Sequence, residues 1–168
     1  MERARDANEA VRLAAVRMAG LYGREEAVAT LQQRLHDTSL EINCAAAEAL
    51  GQIGTESAIQ VLAEASLTPK AELSRTIRNW LMAHAPVALP ALVRLAANPH
   101  GDPHPGFISV ATEIARGAPG VVDQLMSDDD EAVRRAAAVV LGNVGDRQSL
   151  RSLVRKARTP DAPVRKAA

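Results

Sequence analysis

The residues best suited to chemistry lie in one segment rich in proline and glycine, NPHGDPHPG at 98–106. His100, Asp102 and His104 alternate there with other residues, so an extended segment could point all three side chains the same way. Imidazole and carboxylate groups bind zinc, but the segment offers no third histidine and no cysteine. We therefore predict a surface loop without a metal, which either changes the angle between neighbouring helices or contacts a partner.

A second candidate is a row of basic residues near the end of the sequence. It consists of Arg147, Arg151, Arg155 and Arg158, at spacings of four, four and three. Such spacings place side chains on one face of a helix. The stretch 132–168 carries a net charge of +7, so the row predicts a contact for an acidic peptide or a phosphate-bearing partner. The alternative is a solvated face that complements the negative end of the helix.

Trp80 is the third candidate for partner binding. It is one of three aromatic residues in the chain, with Tyr22 and Phe107. Large aromatic side chains often anchor protein interfaces. A single tryptophan among small residues is more often a core filler, so both interpretations stay open.

Composition and missing motifs argue against several classes of protein. Twenty basic and twenty acidic residues give a pI near 6.9, whereas nucleic-acid-binding domains usually exceed about 9. No apolar run approaches the roughly 18 residues of a membrane span, and the first residues lack the apolar core of a signal peptide. There is no GxGxxG, no Walker loop and no CxxC. We predict no catalytic residues and no cofactor, and the single cysteine, Cys44, suits the cytoplasm.

The elements that must position these candidates repeat along the chain. EAVRLAAVRMAGLYG at 9–23 returns as EAVRRAAAVVLGNVG at 131–145, with eight of fifteen positions identical. Two further copies are INCAAAEALGQIG at 42–54 and the fainter LSRTIRNWLMAHA at 73–85. Their apolar residues follow helical spacing, and a second apolar helical segment comes after most copies. Each repeat is thus predicted to be an antiparallel helical hairpin that buries its apolar face by stacking on its neighbours.

Residues typical of helix N-caps keep the same period of 30 or 31 residues. They are Asp6, Asp37, Thr68, Asn98, Asp128 and Thr159. Their side chains can accept hydrogen bonds from a first helical turn, and the prolines that follow three of them suit its first position. We predict that each begins a repeat in one continuous domain over 1–168. The repeats are 6–36, 37–67, 68–97, 98–127, 128–158 and a partial sixth at 159–168.

The pattern Asp, then Val-Arg-x-Ala-Ala, then Leu-Gly-x-x-Gly, resembles the short HEAT-like repeats grouped with the phycobilin lyases. The resemblance covers nearly the whole chain and implies an all-α, right-handed α-solenoid of about five hairpins. It also implies that the second helices line a concave surface, where the arginine row would then lie. Because such arrays serve chiefly as scaffolds, we predict a non-catalytic adaptor that binds a protein partner through this surface.

The resemblance also brings alternatives. The deoxyhypusine hydroxylases of this architecture hold two irons with His-Glu pairs, and this chain contains no His-Glu dipeptide. A lyase-like component needs a pocket for a tetrapyrrole, which three scattered aromatic residues line poorly. A DNA glycosylase needs a basic, aromatic groove, which the neutral charge argues against. A small-ligand or lyase-like component and a weak phosphate binder remain the alternatives to the adaptor.

Two irregular places complete the predictions. The fourth repeat is longer before its glycine and shorter after it, so its second helix should be short. The last residues, TPDAPVRKAA, resemble the opening half of a further first helix. We therefore expect either a longer parent protein or end-to-end association of copies.

Overall fold

The computed structural model describes residues 8–157, which form ten α-helices and no β-strand. The helices are α1 (Glu9–Tyr22), α2 (Glu25–Arg34), α3 (Leu40–Ile53), α4 (Glu56–Ala65), α5 (Ala71–Ala83), α6 (Ala85–Ala96), α7 (Pro105–Ala115), α8 (Pro119–Leu125), α9 (Glu131–Val144) and α10 (Arg147–Ala157). Odd-numbered helices are the first helices of the repeats, and even-numbered helices are the second. The predicted all-α fold of solenoid type is confirmed. Two compact units divide the chain between Trp80 and Leu81.

In the first compact unit, α1 packs on α3, and α2 packs on both α3 and α4. Its core is aliphatic, with Leu31, Ile42, Leu50 and Leu62 fully buried. Gly54 ends α3, the first helix of the second repeat, with a φ of 63°. This left-handed conformation is one that glycine adopts at little cost.

In the second compact unit, α6 packs on α7, α8 and α9, and α10 packs on α8 and α9. The fully buried side chains here include Leu89, Leu92 and Leu141. Gly145, with a φ of 68°, ends α9 in the way that Gly54 ends α3. Each compact unit therefore stacks its own hairpins around an aliphatic core, as the helical spacing predicts.

The helix starts predicted at Asp6, Asp37 and Asp128 are two residues too early, and the one predicted at Asn98 is six residues too early. The N-cap residues are Asn8 of α1, Ser39 of α3 and Asp130 of α9. The side chains of Asn8 and Asp130 accept a hydrogen bond from the first turn, whereas that of Ser39 does not. The predicted Asp37 instead accepts a hydrogen bond from the amide of Ser39 at 3.1 Å, and Asp128 accepts one from the amide of Asp130 at 3.1 Å. Short polar side chains form such turns as readily as they cap helices.

Thr68 and Asn98 make the same kind of turn. Each accepts a hydrogen bond from the amide two residues later, at Lys70 and His100. Consequently Pro69 and Pro99 lie in these turns and not in the first turn of a helix, which corrects the prediction for both prolines. Asp6, Thr159 and the proline after Thr159 lie outside the described residues.

A buried carboxylate joins the first two repeats. The guanidinium of Arg12 donates to Asp37 at 3.2 and 3.1 Å, and that of Arg34 donates at 2.9 Å. Burial alone would raise the pKa of Asp37. The Ser39 amide and the two guanidinium groups outweigh it, and hold the pKa of the carboxyl below its ordinary value of 3.8. The Asp and Arg of the repeat pattern therefore bond to each other across two repeats.

The fourth repeat departs from the others as predicted. A turn-rich segment precedes α7, which begins at Pro105, so the predicted loop at 98–106 overlaps the helix by two residues. Proline fits this first helical position because its missing N–H is not needed there. The second helix of the repeat, α8, has only seven residues.

Candidate functional site

Three of the four predicted arginines meet in one groove between α8 and α10. This arginine groove has a volume of about 700 Å³ and is lined by Asp123, Arg147, Gln148, Arg151, Ser152 and Arg155. The spacing of four residues places the arginines on one face of α10, as predicted. Arg158 lies outside the described residues.

The groove is positively charged because its acidic residue neutralises only one arginine. Arg155 donates to Asp123 at 2.8 Å. Within residues 8–157, Arg147 and Arg151 make no ion pair. Three guanidinium groups and one carboxylate leave two positive charges facing solvent.

The start of α10 directs the row outward. Gly145 ends α9, and Asp146 then accepts a hydrogen bond from the amide of Ser149 at 2.7 Å. Ser149, Ser152 and Leu153 form the buried side of the helix. The exposed side is consequently left to the arginines and to two apolar residues, Leu150 and Val154.

Leu150 and Val154, here called the apolar pair, were not identified from the sequence as site residues. They are exposed one turn apart on α10 and line a cavity of about 410 Å³ with Arg151 and Arg155. Asp123 was also missed. Asp123 and Arg155 are 32 residues apart in the sequence, close to one repeat length. This spacing could have indicated that they lie on neighbouring second helices.

The positive charge of the groove is not a general property of the repeat. The residues 91 positions before Arg147, Arg151 and Arg155 are Glu56, Gln60 and Glu64 on α4. They are exposed too. A smaller groove between α2 and α4, of about 340 Å³, includes Gln60, Glu64 and Glu25 in its lining.

The carboxylate of Glu25 accepts a hydrogen bond from Ser57, which with Thr55 lowers its pKa below the ordinary 4.5. This groove of the first compact unit is therefore acidic, at the repeat position where the second compact unit is basic.

The loop that holds His100, Asp102 and His104 contacts two first helices, α7 and α9. Arg135 of α9 donates to the carbonyl of Gly101 at 3.2 Å. The amide of Phe107 donates to Nδ1 of His104 at 3.5 Å, and the two rings are 4.9 Å apart. His104 thus caps α7, and none of the three loop residues lines the arginine groove. Residues 8–157 contain no cluster of three or more metal-binding side chains.

Trp80 belongs to the first compact unit, where it is half-buried. It lies over Gly51, so that a Cβ at Gly51 would be 2.2 Å from the indole Nε1. The ring therefore occupies space that the glycine leaves open. This packing agrees with the interpretation of Trp80 as a filler.

None of the helices in the described part of the chain is both long and apolar enough to cross a membrane.

Comparison with known proteins identifies the repeats. The family model for HEAT repeats matches residues 1–83 and 118–168. The interval between them contains the irregular fourth-repeat loop. A similar solved structure is the complex of CpcE and CpcF of phycocyanin lyase from Nostoc sp. PCC7120. It is 20% identical, with 98% of this chain and 71% of that chain covered, at a TM-score of 0.48. No curated protein gives a significant match. The chain belongs to the HEAT-repeat family.

Proposed function

We propose that this chain is a non-catalytic adaptor that binds an acidic segment of a protein partner in the arginine groove. The observation that carries the proposal is the charge of the groove, where Arg147 and Arg151 lack an ionic partner among the described residues. Complementary charge speeds encounter with the right partner and disfavours wrong ones. The row lies on a second helix, and second helices are the surface expected to bind in arrays of this kind.

A protein segment suits the groove better than a small ligand or a chromophore. The volume of about 700 Å³ is within the usual range of small-molecule pockets. Such pockets, however, are lined mainly by apolar and aromatic side chains. The lining here consists of four charged side chains, one amide and one hydroxyl, which favours a charged and hydrated contact.

A nucleic-acid backbone is a less suitable ligand because its charge extends over many phosphates. The arginine groove offers such a chain of phosphates only two positive charges without an acidic partner among the described residues. An acidic protein segment needs only the local basic surface.

The absence of catalysis is part of the same proposal. The one carboxylate that lines the arginine groove, Asp123, is held in the ion pair with Arg155. We place the adaptor in the cytoplasm, where the free thiol of Cys44 stays reduced.

The test is binding of a fluorescein-labelled decaglutamate peptide, followed by anisotropy at low and moderate salt. The Arg147→Ala/Arg151→Ala variant should bind about tenfold more weakly at low salt, since two exposed ion pairs contribute up to about 1 kcal/mol each. The control variant, Arg24→Ala/Arg75→Ala, removes two exposed arginines of the first compact unit. Its affinity should stay within about twofold of the unmodified chain.

Equal losses in the two double variants would refute the proposed site. A single-stranded oligonucleotide of the same length that binds more tightly than decaglutamate would refute the proposed class of partner.

A further inference from the structure

The exposure of the arginine row on α10 does not depend on where the described helices end. The corresponding row on α4 consists of Glu56, Gln60 and Glu64, and all three side chains are exposed although further helices follow them in the chain. The arginine groove lies toward α8, the preceding second helix, from which Asp123 lines it. These positions therefore face solvent within the array as well, and what differs on α10 is their charge.

Two residues of the row, Arg147 and Arg151, are placed to bind one group together. They are four residues apart on one face of α10, so about 6 Å separates them along the helix axis. Neither makes an ion pair within residues 8–157. Because arginine side chains are long and flexible, both guanidinium groups can approach a single anion in the groove.

The rest of the lining adds hydrogen-bond donors and little negative charge. Gln148 contributes an amide and Ser152 a hydroxyl, and both groups can donate. The one carboxylate of the lining, Asp123, is occupied, because its Oδ2 accepts from Arg155 at 2.8 Å and its Oδ1 is buried away from solvent. The groove thus offers more donors than acceptors, which suits an anion whose oxygens accept.

A phosphate monoester fits these donors better than a carboxylate. It carries a charge of about −1.5 to −2 at neutral pH on three acceptor oxygens, which matches the two arginines that lack an ionic partner. A carboxylate has one charge and two oxygens, which a single guanidinium engages in a bidentate pair. One carboxylate would leave the second arginine unmatched, and a second carboxylate has to be ordered beside the first at a cost in side-chain entropy.

We infer that the partner segment is phosphorylated and that Arg147 and Arg151 bind its phosphate together. This inference rests on the adaptor function proposed above. Arg147 is the first residue of α10, where the positive end of the helix dipole also favours negative charge. Clusters of arginine are a recurrent means of recognising phosphorylated segments. Binding is then controlled by the modification state of the partner, because the segment without its phosphate leaves both arginines unpaired.

A small phosphorylated molecule is a poorer occupant than a protein segment. Small-molecule pockets enclose their ligand with apolar and aromatic side chains. The lining of the arginine groove is polar, and apart from Asp123 it comes from one face of α10. A protein segment can add contacts along this helix face, whereas a small molecule has only the phosphate contacts.

The experiment compares three short labelled peptides against the full chain by fluorescence anisotropy. They share one sequence of glycine and alanine with blocked ends. The centre carries serine, phosphoserine, or two neighbouring glutamates that match the charge of the phosphate. At low salt and neutral pH the phosphoserine peptide should bind about fivefold more tightly than the diglutamate peptide, because one group satisfies both arginines. The serine peptide should bind more weakly than either.

Lowering the pH to about 5.5 tests the charge state of the bound group. The second pKa of a phosphate monoester is about 6, whereas glutamate, with an ordinary pKa of about 4.3, stays ionised. The charged side chains of the lining are three arginines and Asp123, without a histidine among the residues described there. Protonation of the phosphate in acid removes one of its charges, so most of the preference for phosphoserine should be lost.

Single variants test whether both arginines bind the same group. Arg147→Gln and Arg151→Gln each introduce the side chain that α4 carries at Gln60, an exposed position of the same row, so the fold should be kept. Either change should remove most of the preference for phosphoserine, and the double variant should add little. The matched control, Arg24→Gln/Arg75→Gln, changes two exposed arginines of the first compact unit and should keep the preference.

The outcomes separate the two proposals. If the phosphoserine and diglutamate peptides bind equally and both are weakened by Arg147→Gln/Arg151→Gln, the adaptor function stands and the phosphate inference fails. If no peptide binds, both proposals fail. If free phosphoserine binds as tightly as the phosphoserine peptide, the groove is a site for small phosphorylated molecules and the inference is overturned. Additive effects of the two single variants would show that the arginines act as separate contacts, which also overturns it.

Discussion

Replacing Asp37 by asparagine removes the charge at the centre of the buried contact between the first two repeats. Asp37 accepts hydrogen bonds from Arg12, from Arg34 and from the amide of Ser39. Asparagine retains an oxygen for the amide but no longer compensates two largely buried guanidinium groups. Breaking a buried ion pair costs about 3–5 kcal/mol, and the remaining exposure of the arginines reduces this cost. We expect a loss of about 2–4 kcal/mol in the free energy of unfolding.

Urea unfolding followed by circular dichroism at neutral pH measures this loss. The control is Glu41→Gln, because the Glu41 carboxylate accepts from Arg17 at 3.2 Å between the same two helices that Asp37 helps to hold together. That ion pair is exposed on both sides, so its removal should change the free energy of unfolding by less than about 1 kcal/mol.

The effect of Asp37 should also depend on pH, with a defined sign. Because the folded-state pKa of Asp37 is lowered, its carboxylate stabilises the fold fully above the unfolded-state pKa, about 3.9. The stabilisation is lost as the pH falls below that value and through the folded-state pKa. The difference in stability between the unmodified chain and Asp37→Asn should therefore be constant from about pH 6 to 8 and shrink below about pH 4. Equal losses in Asp37→Asn and Glu41→Gln, or a difference that does not shrink in acid, would refute the reasoning.

Two further predictions use the same urea titration. Gly51→Ala should destabilise the chain by about 1–3 kcal/mol because the new Cβ would overlap the Trp80 indole. Gly142 is at the same repeat position, but a Cβ there would have no atom within 4 Å. Gly142→Ala should therefore stabilise the chain by up to about 1 kcal/mol. Equal effects at both glycines would contradict the assigned role of Trp80. Asp130→Ala should cost about 1 kcal/mol, since the Asp130 carboxylate accepts from the amide of Ala132 at 2.8 Å, and Asp130→Ser should recover most of the loss. If serine recovers nothing, the cap is not the source of the effect.

The period of the repeats is readable from the sequence, but the register of the caps within it is not. The first, second and fifth repeats carry a cap-type residue at two positions, such as Asp37 and Ser39 or Asp128 and Asp130. Either residue could cap a helix by its own chemistry, so local preference does not decide between them. Asp37 is not the N-cap residue. Its carboxylate instead makes a non-local ion pair with Arg12, 25 residues earlier in the chain. Such a contact between repeats is not visible in the sequence of a single helix, and the counterpart of Arg12 in the fifth repeat, Arg134, instead donates to the carbonyls of Asp128 and Asp129.

The candidate site likewise combines features that follow from one helix alone with features that depend on how neighbouring helices pack. Spacing within one helix is sufficient to place Arg147, Arg151 and Arg155 on one face. What lies opposite that face depends on the packing of α8, from which Asp123 lines the groove. The exposure of the apolar pair likewise depends on neighbouring elements, because Val28 at the equivalent position is buried.

The repeats therefore separate residues that maintain stacking from residues that are free to differ. Leu31, Leu62 and Leu153 occupy one repeat position and are buried in every case, because stacking requires an apolar side chain there. The exposed positions of the arginine row have no such requirement. They carry Glu56, Gln60 and Glu64 on α4, and Arg147, Arg151 and Arg155 on α10. We attribute this change of charge, which stacking neither needs nor forbids, to the partner contact proposed for the arginine groove. On this proposal, the exposed positions of the second helices determine specificity, and the buried positions that the repeats share do not.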